Sequence, residues 1–138
     1  MITLQDLIDR FGENELANLT DKENYTVIDE TVINHAISDA TAEVVGYLNP
    51  TGLIVGGAYL GTPPKSLILK TCDIARYYLY ENGVTDIVEK RYQQAIDWLL
   101  LVQKNPSMLT GLSETGANNG VKSGIAVKPN PVPSLWSE

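Results

Sequence analysis

Cysteine and histidine occur once each in this chain of 138 residues, as Cys72 and His35. A lone cysteine cannot close an internal disulfide, and without a CxxC pair or a Cys/His cluster there is no pattern for a structural metal site. One histidine leaves little for nucleophile activation or metal ligation, both of which recruit further partners. His35 therefore reads as a surface or structural residue. Cys72 sits one helical turn from Ile68 and Ala75 and reads as a buried, inert thiol rather than a nucleophile. P-loop, GxGxxG, HExxH and GxSxG patterns are also missing. No catalytic residue, cofactor or metal is expected, and the chain is not expected to be an enzyme.

Long apolar runs are missing too. No stretch approaches the roughly 18 residues that a membrane span needs, and Met1 to Arg10 has no basic leader region. The expectation is a cytoplasmic protein with no membrane partner. Basic charge is in deficit, with ten Lys and Arg against seventeen Asp and Glu and a net charge of −7. A sequence-independent grip on DNA phosphates is disfavoured by that balance. Lys122 and Lys128 offset Glu114 and Glu138, so the acidic excess belongs to residues 1–106.

What is present is an ordinary globular composition, 43% hydrophobic and 20% charged, in a chain long enough for one domain with a real core. Ile2-Thr3-Leu4-Gln5-Asp6-Leu7 has the grammar of a helix start, with Thr3 as N-cap, Asp6 three positions on, and Ile2 placed to staple onto Leu7. Gly12 ends that helix, and a short second one follows from Glu13 to Leu19. Asp29 is placed to cap a longer helix that closes at Asn49-Pro50, with Ile33, Ile37, Ala40, Val44 and Tyr47 along one face.

Thr51 to Thr62 holds four glycines and no helical period, so it reads as a loop with a short extended piece at Leu53 to Val55. Pro63-Pro64 opens a helix running to Glu81, stopped by Asn82-Gly83. Asp86 and Glu89 make a capping-box pattern for the last long helix, which shows Val88, Tyr92, Ala95, Leu99 and Val102 on one stripe and ends at Asn105-Pro106. The fold class is all-α: a compact bundle of about five helices, three long and two short, over residues 1–106.

From Ser107 the composition shifts to Gly, Asn, Ser and Pro, which disfavours helix throughout residues 107–138. That segment keeps Ile125, Val127, Leu135 and Trp136, apolar groups that gain by leaving water. It reads as an extended interaction arm, flexible alone or ordered by a partner.

Two weaker patterns point elsewhere. Asp21 to Asp29 invites a calcium-loop reading, but Tyr25 and Thr26 stand where an EF-hand needs an oxygen ligand and then glycine. Asp39, Asp73, Arg76 and Arg91 lie near apolar helix faces. They could supply a carboxylate pair for acid–base work or form buried ion pairs that fix helix register, and two arginines among them favour the structural ion pairs.

At Asp73-Ile74-Ala75-Arg76-Tyr77-Tyr78-Leu79-Tyr80, then Arg91-Tyr92 and Ala95-Ile96-Asp97-Trp98-Leu99, the chain resembles the Mu-like phage and prophage head-tail connector proteins. Leu7-Ile8 with Arg10-Phe11-Gly12, Leu19-Thr20-Asp21, Ile28-Asp29, Asp39-Ala40 with Glu43, Tyr47-Leu48 and the proline pair agree in order, so the resemblance covers roughly Met1 to Pro106. It implies a helical adaptor that joins a homo-oligomeric ring beneath the portal protein, completes the filled head and receives a tail-completion protein. DNA would pass through without specific binding, and the protein would reside in the host cytoplasm during assembly and then in the virion neck. Lys22-Glu23-Asn24-Tyr25-Thr26 replaces a turn that is often Asp/Gly-rich in relatives, and Ala58-Tyr59 stands where they have Arg-Tyr. The tail past Ser107 finds no counterpart. The alternative reading is a helical interaction or regulatory module that binds a cellular protein through its C-terminal arm.

Overall fold

The computed structural model of the protein describes residues 1–80 and 83–110. The fold is all-α, with six helices among the described residues: α1 Leu4–Phe11, α2 Glu13–Thr20, α3 Glu30–Leu48, α4 Lys65–Leu79, α5 Asp86–Lys104 and α6 Ser107–Thr110. Two compact units divide the chain, Met1–Leu101 and Val102–Glu138.

The caps explain where the helices begin. The Thr3 N–H donates to Asp6 Oδ2 at 2.9 Å and the Asp6 N–H donates to Thr3 Oγ1 at 3.2 Å, a reciprocal box that satisfies two otherwise orphaned donors. Ile2 and Leu7, the residues placed to staple this turn, are both buried. Gly12 stands at φ 88°, ends α1 by donating its N–H to the Ile8 carbonyl at 2.8 Å, and starts α2 with no intervening loop. The Asp29 carboxylate accepts from the N–H groups of Thr31 and Val32 at 3.0 and 3.4 Å. Such caps each stabilise a helix by about 0.5–2 kcal/mol.

Two boundaries differ from the sequence reading. α5 is capped by Thr85, whose hydroxyl accepts from the Val88 N–H at 3.3 Å, and Asp86 is its first helical residue. Thr and Asp are both good N-caps, and a carboxylate one position inside gains from the helix dipole. Pro64 is extended at φ −69°, ψ 158° and precedes α4 instead of lying in its first turn. The α4 helix ends at Leu79, two residues short of the expected Glu81, where the Tyr80 N–H turns back to the Tyr77 carbonyl at 3.2 Å; Asn82 of the expected Asn82-Gly83 stop lies outside the described residues.

The core of the first unit explains its packing. α3 buries Ile33, Ala36, Ala40, Val44 and Leu48, one stripe at spacings of three and four, and packs most extensively on α4. Ile37 and Tyr47, expected on that stripe, are only half-buried at its margins. In α4 five consecutive residues, Thr71 to Ala75, are buried. Five successive positions go all the way round a helix with 3.6 residues per turn, so the middle of α4 is enclosed on every side. Within this unit α5 contributes Val88, Ala95 and Leu99 to the buried set.

The glycine-rich stretch is more ordered than a loop. Ile54–Val55 and Ala58–Tyr59 form an antiparallel hairpin with Ile54 opposite Tyr59 and Val55 opposite Ala58. Gly56 and Gly57 at its tip have φ of 62° and 82°. Positive φ at both central positions is what a two-residue turn of type I′ requires, and glycine meets it without steric cost, which explains the pair.

Of the second unit, residues 102–110 are described, and they contain a correction. Ser107–Thr110 forms one helical turn, with Met108 N–H donating to the Asn105 carbonyl and Leu109 N–H to the Pro106 carbonyl, both at 3.0 Å. The expectation of no helix past Ser107 rested on glycine and proline spacing, and the first of those glycines is Gly111.

Candidate functional site

The middle of α4 is enclosed, so the charged residues there, Asp73 and its neighbour Arg76, need partners, and both partners come from the N-terminal helices. Asp73, 2% exposed, accepts from Arg10 Nε at 3.2 Å and from Arg10 Nη2 at 3.1 Å to each of its two oxygens. Arg76 donates to Glu15 through Nε at 2.7 Å and Nη2 at 3.1 Å, and the Tyr80 hydroxyl donates to the same carboxylate at 3.1 Å. Both guanidinium groups lie over the Phe11 ring, Arg76 4.5 Å and Arg10 5.6 Å from its centroid. Forked arginine–carboxylate pairs fix orientation as well as distance, so this seam sets how α1 and α2 sit on α4. Burial alone would lower the Arg76 pKa, but the hydrogen bond and charge of Glu15 carry it upward.

The sequence reading named Asp73 and Arg76 and missed Arg10 and Glu15. A signal for the first was there: Arg10 follows the buried Leu7 by three positions, which puts it on the inward face of α1. Asp39 and Arg91, named with them, are exposed and make no ion pair among the described residues. Asp39 immediately precedes the buried Ala40, and one helical step of about 100° carries its side chain off the core stripe.

A second polar cluster links α3, α4 and α5. Glu43 accepts hydrogen bonds from the Tyr78 hydroxyl and, at 2.9 Å, from the Tyr92 hydroxyl. The Tyr77 and Tyr92 rings stack with centroids 4.0 Å apart. Burial first, and then the Glu43 carboxylate, push the Tyr92 phenol up to about 12 and raise Tyr78 as well. Both tyrosines are donors to a fixed carboxylate, so the cluster is a clasp between helices.

The Asp21 loop is organised inward. Asp21 Oδ1 accepts from the N–H groups of Glu23 and Asn24, and Oδ2 from those of Thr26 and Val27, at 3.1–3.3 Å. These backbone hydrogen bonds lower the Asp21 pKa. Both oxygens that a calcium ion would need are occupied by backbone donors, and Tyr25 takes a positive φ of 61° to close the loop. Thr20, buried, completes the joint: its hydroxyl donates to the Leu16 carbonyl at 2.8 Å and accepts from the Asp29 N–H at 2.9 Å. Among the described residues no group of three or more His, Cys, Asp or Glu is arranged to hold a metal ion.

Cys72 is 1% exposed, and burial pushes its thiol up to about 12, whereas reactive cysteines have depressed values. His35 is on the surface. No described helix is long and apolar enough to cross a membrane. Unpaired apolar surface lies instead at the hairpin, where Val55 and Leu60 are each 59% exposed, and along α5 at Ile87, Leu100 and Leu101. The arm residues Ile125, Val127, Leu135 and Trp136 lie outside the described residues.

Comparison with known proteins adds to this geometry. The sequence profile of the family described as Bacteriophage Mu, Gp36, matches residues 2–127. The match therefore continues past Pro106, where the resemblance read from short motifs stopped. The chain is also similar to the Mu-like prophage FluMu protein gp36 of Haemophilus influenzae, with 34% identity over 90 residues. That alignment covers 63% of this chain and 58% of the relative.

Proposed function

The chain belongs to the Bacteriophage Mu Gp36 family, and from that premise we propose that it is a structural adaptor in the particle, joining a ring between the portal of the DNA-filled head and the tail. Its partners are further copies of itself, the portal protein and a tail-completion protein, and it catalyses no reaction. The observation that carries this reading is the hairpin. Two glycines at positive φ make its tip, and Val55 and Leu60 keep apolar side chains in water beside it. Asp73 and Arg76 of the enclosed helix are paired within the fold, so the surfaces left to gain free energy by burial are apolar ones that a neighbour could cover.

Charge supports the same role. A net charge of −7 suits a channel through which DNA slides, because counterion release gives such a surface little grip on phosphate. The test is electron microscopy and native mass measurement of the chain mixed with the portal protein of the same phage or prophage. Ring-shaped density added to the portal is the expected result. A chain that stays monomeric and ignores the portal at high concentration would overturn the proposal.

A further inference from the structure

The outward side of α5 carries a pattern that its own fold does not use. Val88, Ala95 and Leu99 of this helix belong to the buried core. Ile87, Gln94 and Leu101 recur every seven positions, which a straight helix brings back to within about 20° of one line. Ile87 and Gln94 each stand one helical step, about 100°, before a buried residue, so this line faces away from the core. Ile87 is 63% and Leu101 54% exposed, and Gln94 between them is exposed as well.

The flanks of this stripe are complementary from one end to the other. Lys90 and Asp97 lie on one flank, Arg91 and Trp98 on the opposite one. Lys90, Arg91 and Asp97 are exposed and make no ion pair among the described residues, and Trp98 is half-buried. On each flank the cation stands toward the helix N-terminus and its chemical match seven positions further on. Seven positions are about 10 Å of helix, and the two do not meet within one copy.

A second copy supplies what each lacks. Let two α5 helices pack antiparallel with Gln94 facing its own counterpart: Ile87 then stands opposite Leu101, because each is seven positions from the centre. Antiparallel packing also brings each flank against the same flank of the other copy. Lys90 meets Asp97 of the second copy and Arg91 meets its Trp98 ring, each offset by one residue's rise of about 1.5 Å. Two-fold symmetry makes every such contact twice. A guanidinium over an indole is a favourable cation–π pair, and two facing carboxamides can each donate and accept. Parallel packing would set Lys90 against Arg91, two like charges that repel.

We propose that this face of α5 is a self-association surface, and that its occupant is the same face of a second copy, antiparallel and centred on Gln94. The proposal is independent of the adaptor reading. A contact that uses one patch twice closes at two copies, whereas a ring of more than two needs two different patches on each. From Ile87 to Leu101 the helix spans roughly 21 Å, and interfaces under about 1,200 Å² belong to weak encounters. The expected dissociation constant is therefore between about 10 µM and 1 mM.

Charge exchange in the full-length chain tests both the surface and its register. By sedimentation the unsubstituted chain should pass from monomer toward dimer as its concentration rises to about 1 mM. Lys90→Glu and Asp97→Lys each set like charges together twice, and each should raise the dissociation constant at least about tenfold. Mixed in equal amounts, these two variants should pair one to one, because both flank contacts then join opposite charges. The double variant should pair like the unsubstituted chain. Leu101→Asp should weaken pairing, whereas Leu100→Asp should not, since Leu100 is 42% exposed but one helical step off the stripe. All four positions are exposed, and circular dichroism with thermal melts at low concentration checks that each variant is folded. A chain that stays monomeric to about 1 mM, single charge variants that associate normally, a mixture that fails to pair, or equal losses from Leu100→Asp and Leu101→Asp would each overturn the proposal.

Discussion

Arg10 grips Asp73 with both Nε and Nη2 across 63 positions of sequence, its Nη2 3.1 Å from each carboxylate oxygen. The carboxylate side chain is 3% exposed and the guanidinium side chain 25%, so the larger cost of a broken pair arises when Arg10 is removed and the buried Asp73 carboxylate is left without its partner. Removing one member of a buried pair costs about 3–5 kcal/mol, and partial exposure of Arg10 places this one toward the lower end.

Asp73→Ala and Arg10→Ala should therefore each lower the melting temperature by roughly 10 °C or more, on the scaling of about 4–8 °C per kcal/mol for a domain of this size. Asp39→Ala and Arg91→Ala, exposed and without an ion pair among the described residues, should change stability by no more than about 0.5 kcal/mol. Thermal melts of the four variants check both halves. Equal effects at Asp73 and Asp39 would contradict the seam.

The tyrosine clasp has an alkaline signature. A phenol raised in the folded state gives stability that is complete below its unfolded value of about 10 and is lost as pH rises toward the folded value. With Tyr92 pushed up to about 12, the loss should fall between about pH 10 and 12. Tyrosinate absorbance followed against pH should show Tyr78 and Tyr92 titrating after the others, and Glu43→Gln should narrow the gap without closing it, since burial is the larger cause. Simultaneous titration of all seven tyrosines near pH 10 would refute the clasp.

The Asp21 loop predicts the opposite pH behaviour. A carboxylate lowered in the folded state gives stability present above its ordinary value of 3.8 and lost as pH falls through the lowered one. Asp21→Ala should speed amide exchange at Glu23, Asn24, Thr26 and Val27, whose N–H groups point at the carboxylate. Calcium or a chelator should leave the melting temperature unchanged. A rise in stability at micromolar calcium would mean that the loop can turn its oxygens outward.

Much of the helical framework is legible in sequence because capping is local chemistry. Thr3 with Asp6, Asp29 and Gly12 each act within a few residues, and their positions mark helix ends directly. The failures are of a different kind. Thr85 and Asp86 are adjacent good caps, and only the backbone decides between them. Gly56-Gly57 held the signal for a hairpin, but the flanking strands are two residues each and too short to show alternation. For the charges, helical period gives an angle about the helix axis without saying which neighbour stands there. It puts Asp73 within an enclosed helix only once α1 and α3 are known to cover it. The pairing with Arg10 and the convergence of Tyr78 and Tyr92 on Glu43 depend on contacts across 63, 35 and 49 positions, which no local pattern encodes.

The proposal that this chain joins head to tail is tested most directly by electron microscopy of particles made by the encoding phage or prophage when a stop codon interrupts this reading frame. The expected result is DNA-containing heads and complete tails that remain separate, with joining restored when the protein is supplied from a plasmid. Normal numbers of joined particles in its absence would contradict it.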